Sequence, residues 1–272
     1  MPRSKLDSVL KAKRRPLSQI NWHPRPNEII SPTPTSGHHL MAPANQQISK
    51  EKFAELHRSK DSPGTVFNIW HLQESGGETR RGLPKTALSP CRWSAADVGS
   101  TEATEDRGRF CVWFARGMCV YGSRCYNLHR LPSSKDEQHL NPALDCFGRE
   151  KHANYREDMM GVGSFMHENK TLSLSNFQLA KDKSASEVIT KRFAPYGKIQ
   201  SVKIEKHIAL ISYGLESHAQ FAKEALAFQP LTKGSKLAMH IRWATPANTS
   251  EEDALRIKNA LAESTALEHC NT

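Results

Sequence analysis

The chain has 272 residues, 38% of them hydrophobic, and sets 38 Lys and Arg against 28 Asp and Glu for a formal charge of +10. This material suits small modules in series better than one large enzyme barrel, and no apolar run approaches the roughly 18 residues of a membrane span. The basic opening stretch does not lead into the apolar core of a secretion signal, so the expectation is an intracellular protein with a polyanionic partner.

Residues 1–50 come first. Seven of the 15 Pro fall within the first 43 residues. Pro, Ser, Thr, Asn and His alternate there with neither the helical nor the strand period, and nothing offsets the entropy of ordering them, so the segment reads as a disordered basic tail. Lys11-Ala-Lys-Arg-Arg-Pro16 has the composition of a nuclear import signal, with a solvated tail as the alternative. Residues 51–106 open with a short helical pattern (Phe53, Leu56), continue with a strand-like run from Thr65 to Trp70, and end in a Gly- and Pro-punctuated stretch to Cys91. They carry too little periodic sequence for a core of their own and are predicted to wrap a neighbour.

Residues 107–132 hold the strongest chemical signal. Cys111, Cys119, Cys125 and His129 fall within 19 positions, three thiolates and an imidazole at spacings suited to one tetrahedral Zn2+. Four protein ligands saturate such a metal, so it is read as structural and not hydrolytic. Disulfides are the competing use of these thiols, disfavoured by the intracellular setting and the accompanying His. Cys91 and Cys146 are predicted to be buried thiols, and Cys270 has no assignment. From Arg107 to Lys135 there are six basic residues and no acid. Trp113, Phe114, Tyr121 and Tyr126 interleave with Arg107, Arg109, Arg116, Arg124 and Arg130, a mixture suited to unstacked bases and phosphates. A small zinc loop cannot bury four large rings, so Phe114 and Tyr121 are predicted to face RNA while the rest pack.

A connector, 133–169, leads to 170–245, where strand and helix patterns alternate as βαββαβ. The strands fall at Lys170–Phe177, Ile199–Lys206, His207–Tyr213 and Lys236–Trp243, and the helices at Ser184–Ala194 and Glu216–Ala227. The RNA-recognition-motif pattern K/R-G-F/Y-G/A-F-V-x-F/Y maps onto Lys206 to Tyr213 only in part. Lys206, Ala209 and Tyr213 match, but Ile208, Leu210 and Ser173 stand where base-stacking rings would be. At about 1–3 kcal/mol per stacked base, this removes much of an isolated sheet's affinity for RNA. Lys203, Lys206 and Arg242 read either as phosphate contacts or as a solvated basic face. Residues 246–272 begin an acidic helical pattern capped by Thr249 or Ser250, with Glu251, Glu252 and Asp253 in its first turn and Ala254, Ile257 and Leu261 on one stripe. This helix is expected to pack on the sheet or to bind a partner protein.

The runs Phe110-Cys-Val-Trp-Phe-Ala-Arg-Gly117, Leu128-His-Arg-Leu-Pro132, Asp145-Cys-Phe-Gly-Arg-Glu150, Tyr155-Arg-Glu-Asp-Met159 and Gly161-Val-Gly-Ser-Phe165 together resemble the fungal pre-mRNA splicing factors associated with the NineTeen complex, relatives of human RNA-binding motif protein twenty-two. The resemblance runs from about Gly64 to Trp243. It implies an α+β chain in which a torus-like segment surrounds a CCCH zinc finger, followed by a connector and an RNA-recognition motif. It also implies contact with U6 small nuclear RNA and the pre-mRNA intron, a place among NineTeen-complex subunits of the spliceosome, and a nuclear location. Carried onto this chain, the zinc ligands are Cys111, Cys119, Cys125 and His129. The RNA contacts are Trp113, Phe114, Arg116, Tyr121, Arg124 and Tyr126 in the finger, Phe165 in the connector, and Lys203, Lys206, Tyr213 and Arg242 on the sheet.

The leading expectation is therefore a non-enzymatic RNA-binding splicing factor that positions RNA, with neither membrane nor small-molecule substrate as partner. The rival reading is a protein-docking adaptor with a degenerate RNA-recognition motif, motivated by the missing rings. A zinc enzyme lacks an open metal position and a nucleophile-base pair in the sequence.

Overall fold

The computed structural model describes residues 42–56, 91–104, 108–153, 161–177, 184–205, 208–232 and 234–244, and the backbone of 65–68 and 73–76. Arg107, Lys206, Cys270, the import-like cluster, Tyr155 to Met159 and the acidic C-terminal pattern lie outside them.

A helix α1 (Lys50–Leu56) precedes an antiparallel hairpin of β1 (Thr65–Asn68) and β2 (Gln73–Gly76). A single turn α2 (Val112–Ala115) and a helix α3 (Ser134–His139) follow. Then come β3 (Thr171–Ser175), α4 (Ala185–Phe193), β4 (Ile199–Glu205), β5 (Ile208–Tyr213), α5 (Glu216–Leu226) and β6 (His240–Trp243). The last six elements are the predicted βαββαβ, an antiparallel sheet ordered β4-β5-β3-β6. Leu172, Leu174, Ala209, Ile211, Tyr213, Ile241 and Trp243 point to the core face, as the strand period requires. The α4 residues Ile189 and Phe193 and the α5 residues Phe221, Ala222 and Leu226 are buried with them in one cluster. The last strand starts at 240, not 236. The Met239 N–H donates to the Gln229 carbonyl (2.9 Å), so the turn after α5, and not β3, takes up the preceding residues.

The boundary drawn for the tail needs correction. Residues 42–49, read as part of a disordered segment, lie against the finger: Ala44 N–H donates to Ser100 O (3.0 Å), and Gln47 N–H to Cys119 O (2.9 Å). The Gln47 side chain accepts from Cys119 N–H (2.9 Å) and donates to Asp97 (3.0 Å). Backbone and amide hydrogen bonds hold this strand-like piece, so it has no hydrophobic period to betray it. Two glycines make room for the wrapping. Gly117 (φ +73°) and Gly122 (φ +56°) sit in the left-handed region, and a Cβ there would stand 2.3 Å from the Arg92 backbone and 2.8 Å from that of Gln46, respectively.

Finger, connector and sheet share one core. Trp93 packs edge-on to Phe114 and Phe221 and tilted against Tyr196, and Phe114 itself meets Phe221 at 6.3 Å. Beside these rings, the buried Glu224 carboxylate of α5 takes Arg116 of the finger on one oxygen (2.6 Å) and Arg149 of the connector on the other (2.8 Å), while Arg149 also binds Asp145 (2.7 Å). Burial alone would raise the Glu224 pKa, but Arg149 first and Arg116 next hold it well below the usual carboxylate range. At the start of α5, the Glu137 carboxylate of α3 accepts from Glu216 and Ser217 N–H (2.8 and 3.1 Å), an anion placed where the helix exposes unpaired donors. The helix α3 is held by a capping box between Ser133 and Asp136, a signal the sequence reading missed.

Glu224→Gln removes the carboxylate that Arg116 and the buried Arg149 share and leaves Arg149 to Asp145. Urea denaturation is expected to show a loss of about 3–5 kcal/mol. A second expectation concerns acid. Burial raises the Asp136 pKa, but hydrogen bonds from Arg130 and then Ser133 hold it down, to about 2. Because the folded pKa is depressed, the stability this group contributes is complete above its unfolded value near 4 and is lost as pH falls from there through 2. The amide protons of α3 should lose hydrogen-exchange protection over that window, and an Asp136→Asn chain should show no such step.

Candidate metal centre and nucleic-acid interface

The finger is dense in rings and in metal-donor side chains. Cys111 caps α2, accepting from Phe114 N–H at its sulfur (3.3 Å), and its own N–H donates to Leu128 O (3.0 Å). Cys119 is gripped by Gln47, Glu102 N–H donates to Cys125 O (3.0 Å), and Gly99 N–H to His129 O (3.2 Å). The surrounding segment thus bonds directly to the backbone of three of the four predicted ligand residues. Cys111, Cys119, Cys125 and His129 are all buried and offer ligand atoms within 4.8 Å of one another, the one such cluster among the described residues.

The side chains fit a metal on physical grounds. Neither ring nitrogen of His129 has a hydrogen-bond partner although both are buried, and such orphaned groups cost about 1–3 kcal/mol unless something meets them. A tetrahedral ion with bonds of about 2.3 Å to sulfur would sit within reach of all four donors. The thiols also interfere with one another. Burial, followed by the Cys119 and Cys125 thiols, pushes Cys111 well up, whereas Cys119 is drawn far down by hydrogen bonds from Cys111 and then Cys125. Burial opposes charging these sulfurs together. A cation is what allows three. Phe114 stacks on His129 with centroids 4.5 Å apart and planes 11° apart, fixing the imidazole's orientation from its face.

The predicted RNA-facing rings divide differently from expectation. Phe114, expected to face RNA, is 0% exposed, wedged between His129, Trp93 and Phe221. Trp113 is buried against Phe53 (5.0 Å, edge-on). Tyr213 is also 0% exposed. Its hydroxyl donates to Phe193 O (2.9 Å), because strand alternation that turns Ile208 and Leu210 outward turns Tyr213 inward. None of these three rings can stack a base. Arg116 is committed to Glu224 and lies over Trp113. The premise that a small loop cannot bury its rings overlooked how much neighbouring sequence folds around it.

Other predicted contact residues stay at the surface. Tyr126 is 60% exposed and Phe165 49%. Arg124, Lys203 and Arg242 are exposed and Tyr121 is half-buried. Two further residues join them: Met166, 63% exposed beside Phe165, and Arg109, exposed with its side chain over Gly148. Arg109 and Arg124 make no ion pair among the described residues. Arg109 stood in the basic strip, but nothing in the sequence separated it from Arg116 or Arg130, which are spent on Glu224 and Asp136. Cys146 is a buried thiol raised by desolvation, as expected, and Cys91 is half-buried.

Comparison with known proteins agrees with this architecture. The Torus domain family matches residues 39–149, which includes both the wrapping segment and the finger. The pre-mRNA-splicing factor cwf2 of Schizosaccharomyces pombe is 42% identical over 207 residues, 75% of this chain and 51% of that protein. The pre-mRNA-splicing factor cwc2 of Emericella nidulans is 46% identical over 187 residues, 67% of this chain and 43% of that protein. The chain is related to the CWC2 splicing factors. It spans about half the length of these two relatives. Outside fungi, the cwc2 of Dictyostelium discoideum is 36% identical over 210 residues, 76% of this chain and 38% of that protein. Among solved structures, the RRM domain of S. pombe Puf1 is similar at 26% identity and a TM-score of 0.25, over 28% of this chain and 97% of that one.

Cys119→Ser removes a donor held from two sides by Gln47. Elemental analysis of the purified chain should show bound metal falling well below one equivalent. Chelation of the wild-type chain should abolish the near-ultraviolet circular dichroism of the Trp93–Phe114 cluster, and readdition of metal should restore it.

Proposed function

We propose that this chain is a nuclear, non-enzymatic RNA-binding splicing factor. It would contact U6 small nuclear RNA and intron RNA, hold one structural Zn2+ on Cys111, Cys119, Cys125 and His129, and work among NineTeen-complex subunits. The observation that carries this reading is identity above 40% with proteins named as pre-mRNA-splicing factors, over 67–75% of the chain. Three thiolates and an imidazole are a donor set typical of structural zinc, and with four protein ligands no position is left for an activated water. Binding free energies on the order of 10–16 kcal/mol exceed what so small a loop could obtain from its own core, so the metal's role is to fold the finger.

RNA contact falls to the exposed side chains. Tyr126 and Phe165 offer faces for unstacked bases, and Arg109, Arg124, Lys203 and Arg242 offer charge to phosphates, with Tyr121 at the margin; Lys206 joins them from the sequence alone, outside the described residues. This arrangement holds a strand by stacking and charge without reading a duplex groove.

Filter binding of the metal-loaded chain to a U6 stem-loop RNA tests the proposal. Tyr126→Ala and Phe165→Ala should each weaken binding by about 1–3 kcal/mol, the value of one stacked base, with unchanged thermal stability. Phe114→Ala should instead lose about 3–5 kcal/mol of folding stability. Affinity should fall with salt at a slope of roughly −0.7 per phosphate neutralised. Binding no better than that of an equal-charge lysine-rich control would overturn the reading.

The adaptor reading keeps one observation in its favour: the outward sheet positions Ser173, Ile208 and Leu210 carry no ring. RNA crosslinks absent from residues 107–213, with NineTeen-complex subunits still retained, would establish it in place of the first.

A further inference from the structure

The connector ends in a loop that holds two large apolar side chains in water. Residues 161–164 are buried, 165–168 are exposed, and Asn169 is buried again. Phe165 and Met166, 49% and 63% exposed, lead the exposed run. Their backbone is fixed although their side chains are not covered. Phe165 N–H donates to His152 O (3.1 Å) and Met166 N–H to the Ser164 hydroxyl oxygen (3.0 Å), while that hydroxyl donates to Ala153 O (2.7 Å).

One side chain closes the loop. Asn169, 2% exposed, accepts from Ser164 N–H at Oδ1 (3.2 Å), and its amide nitrogen donates to Ser164 O (2.7 Å), His167 O (3.0 Å) and Glu216 Oε1 (3.0 Å). A single carboxamide thus staples the exposed run at both ends. Gly163 leaves room for it, since its φ is +116° and a Cβ there would stand 3.1 Å from Asn169 Cγ. The staple is anchored outside the loop. Glu216 opens α5, and the same Oε1 also accepts from Lys151 of the connector and from Gln220 one turn on (2.9 Å). Lys151 and Asn169, on either side of the exposed pair in sequence, therefore meet on one carboxylate oxygen. A loop that only had to connect could leave its polar groups to water. This one commits a buried amide and a buried ammonium to keeping its tip in place. A ring and a loop already ordered lose less freedom when a partner arrives, and the difference appears as affinity.

We propose that Asn169 is a positioning residue for RNA: by tying Ser164 and His167 to Glu216, it holds Phe165 and Met166 as a preformed platform for an unstacked base. The inference rests on the RNA-binding reading and adds to it the device that orients one of its contacts. Met166 extends the ring's face with a polarisable thioether.

The full, metal-loaded chain is assayed with the U6 stem-loop RNA carrying 5-iodouridine in its loop, whose photo-crosslinking to a ring needs close stacking. Asn169→Asp keeps the acceptor and loses the donors, and Asn169→Ala loses both. Each should weaken binding about tenfold, with the crosslink at Phe165 reduced severalfold. Glu216→Gln, which keeps an acceptor oxygen and is the milder change, should show the same pattern on a smaller scale. In a Phe165→Ala, Met166→Ala background the same substitutions should alter binding by less than about twofold, because no platform is left to position. Hydrogen exchange without RNA should show the Ser164 amide freed in the Asn169 variants while the β3 amides stay protected. Equal losses of binding in both backgrounds would make Asn169 merely structural and overturn the inference. Unchanged binding and crosslinking with a freed Ser164 amide would overturn it too, and in both cases the RNA-binding reading would stand. Wild-type binding no better than that of the lysine-rich control would overturn the reading and the inference together.

Discussion

One carboxylate joins three parts of this molecule. Glu224 projects from the second helix of the βαββαβ unit and receives Arg116 from the finger on one oxygen and Arg149 from the connector on the other. Such a site is expensive to desolvate, and it persists because every partner arrives together: Asp145 neutralises Arg149 from behind while the ring cluster of Trp93, Phe114 and Phe221 excludes water alongside. The arrangement fixes position more than it adds stability. A finger turned by a few ångströms would strand a buried charge, so metal loop, connector and sheet keep one mutual geometry.

That constraint redirects the rings. In an isolated zinc loop, Trp113 and Phe114 would have nowhere to go but outward. Here α1 takes the first and α5 with Trp93 takes the second, and Phe114 then serves the metal centre by stacking on His129. What this packing leaves exposed is Tyr126 and Arg124 of the finger and Phe165 and Met166 of the connector. Under the proposed reading, a polyanion would meet exposed side chains from segments far apart in sequence.

The legible and illegible parts of the sequence differ by the range of the forces involved. The cluster of four donors could be read because a tetrahedral donor set imposes short, local spacings. The βαββαβ order could be read because strand and helix periods are local as well, and even the inward turn of Tyr213 was implicit in the alternation that sends Leu210 outward. Residues 42–49 could not be read: they bind through backbone groups and one glutamine, which every sequence possesses and no pattern announces.

By itself the sequence determined the donor set, the order of strands and helices, the excess of positive charge and the kinship, all of which follow from residue types and their spacing along the chain. Only the tertiary structure decided which arginines are spent on carboxylates and which stay exposed, and which rings are core and which are surface. Those outcomes depend on partners more than a hundred residues away, as with Arg116 and Glu224 or Trp93 and Phe221, and burial is a property of the whole packed body that no local window of side chains contains.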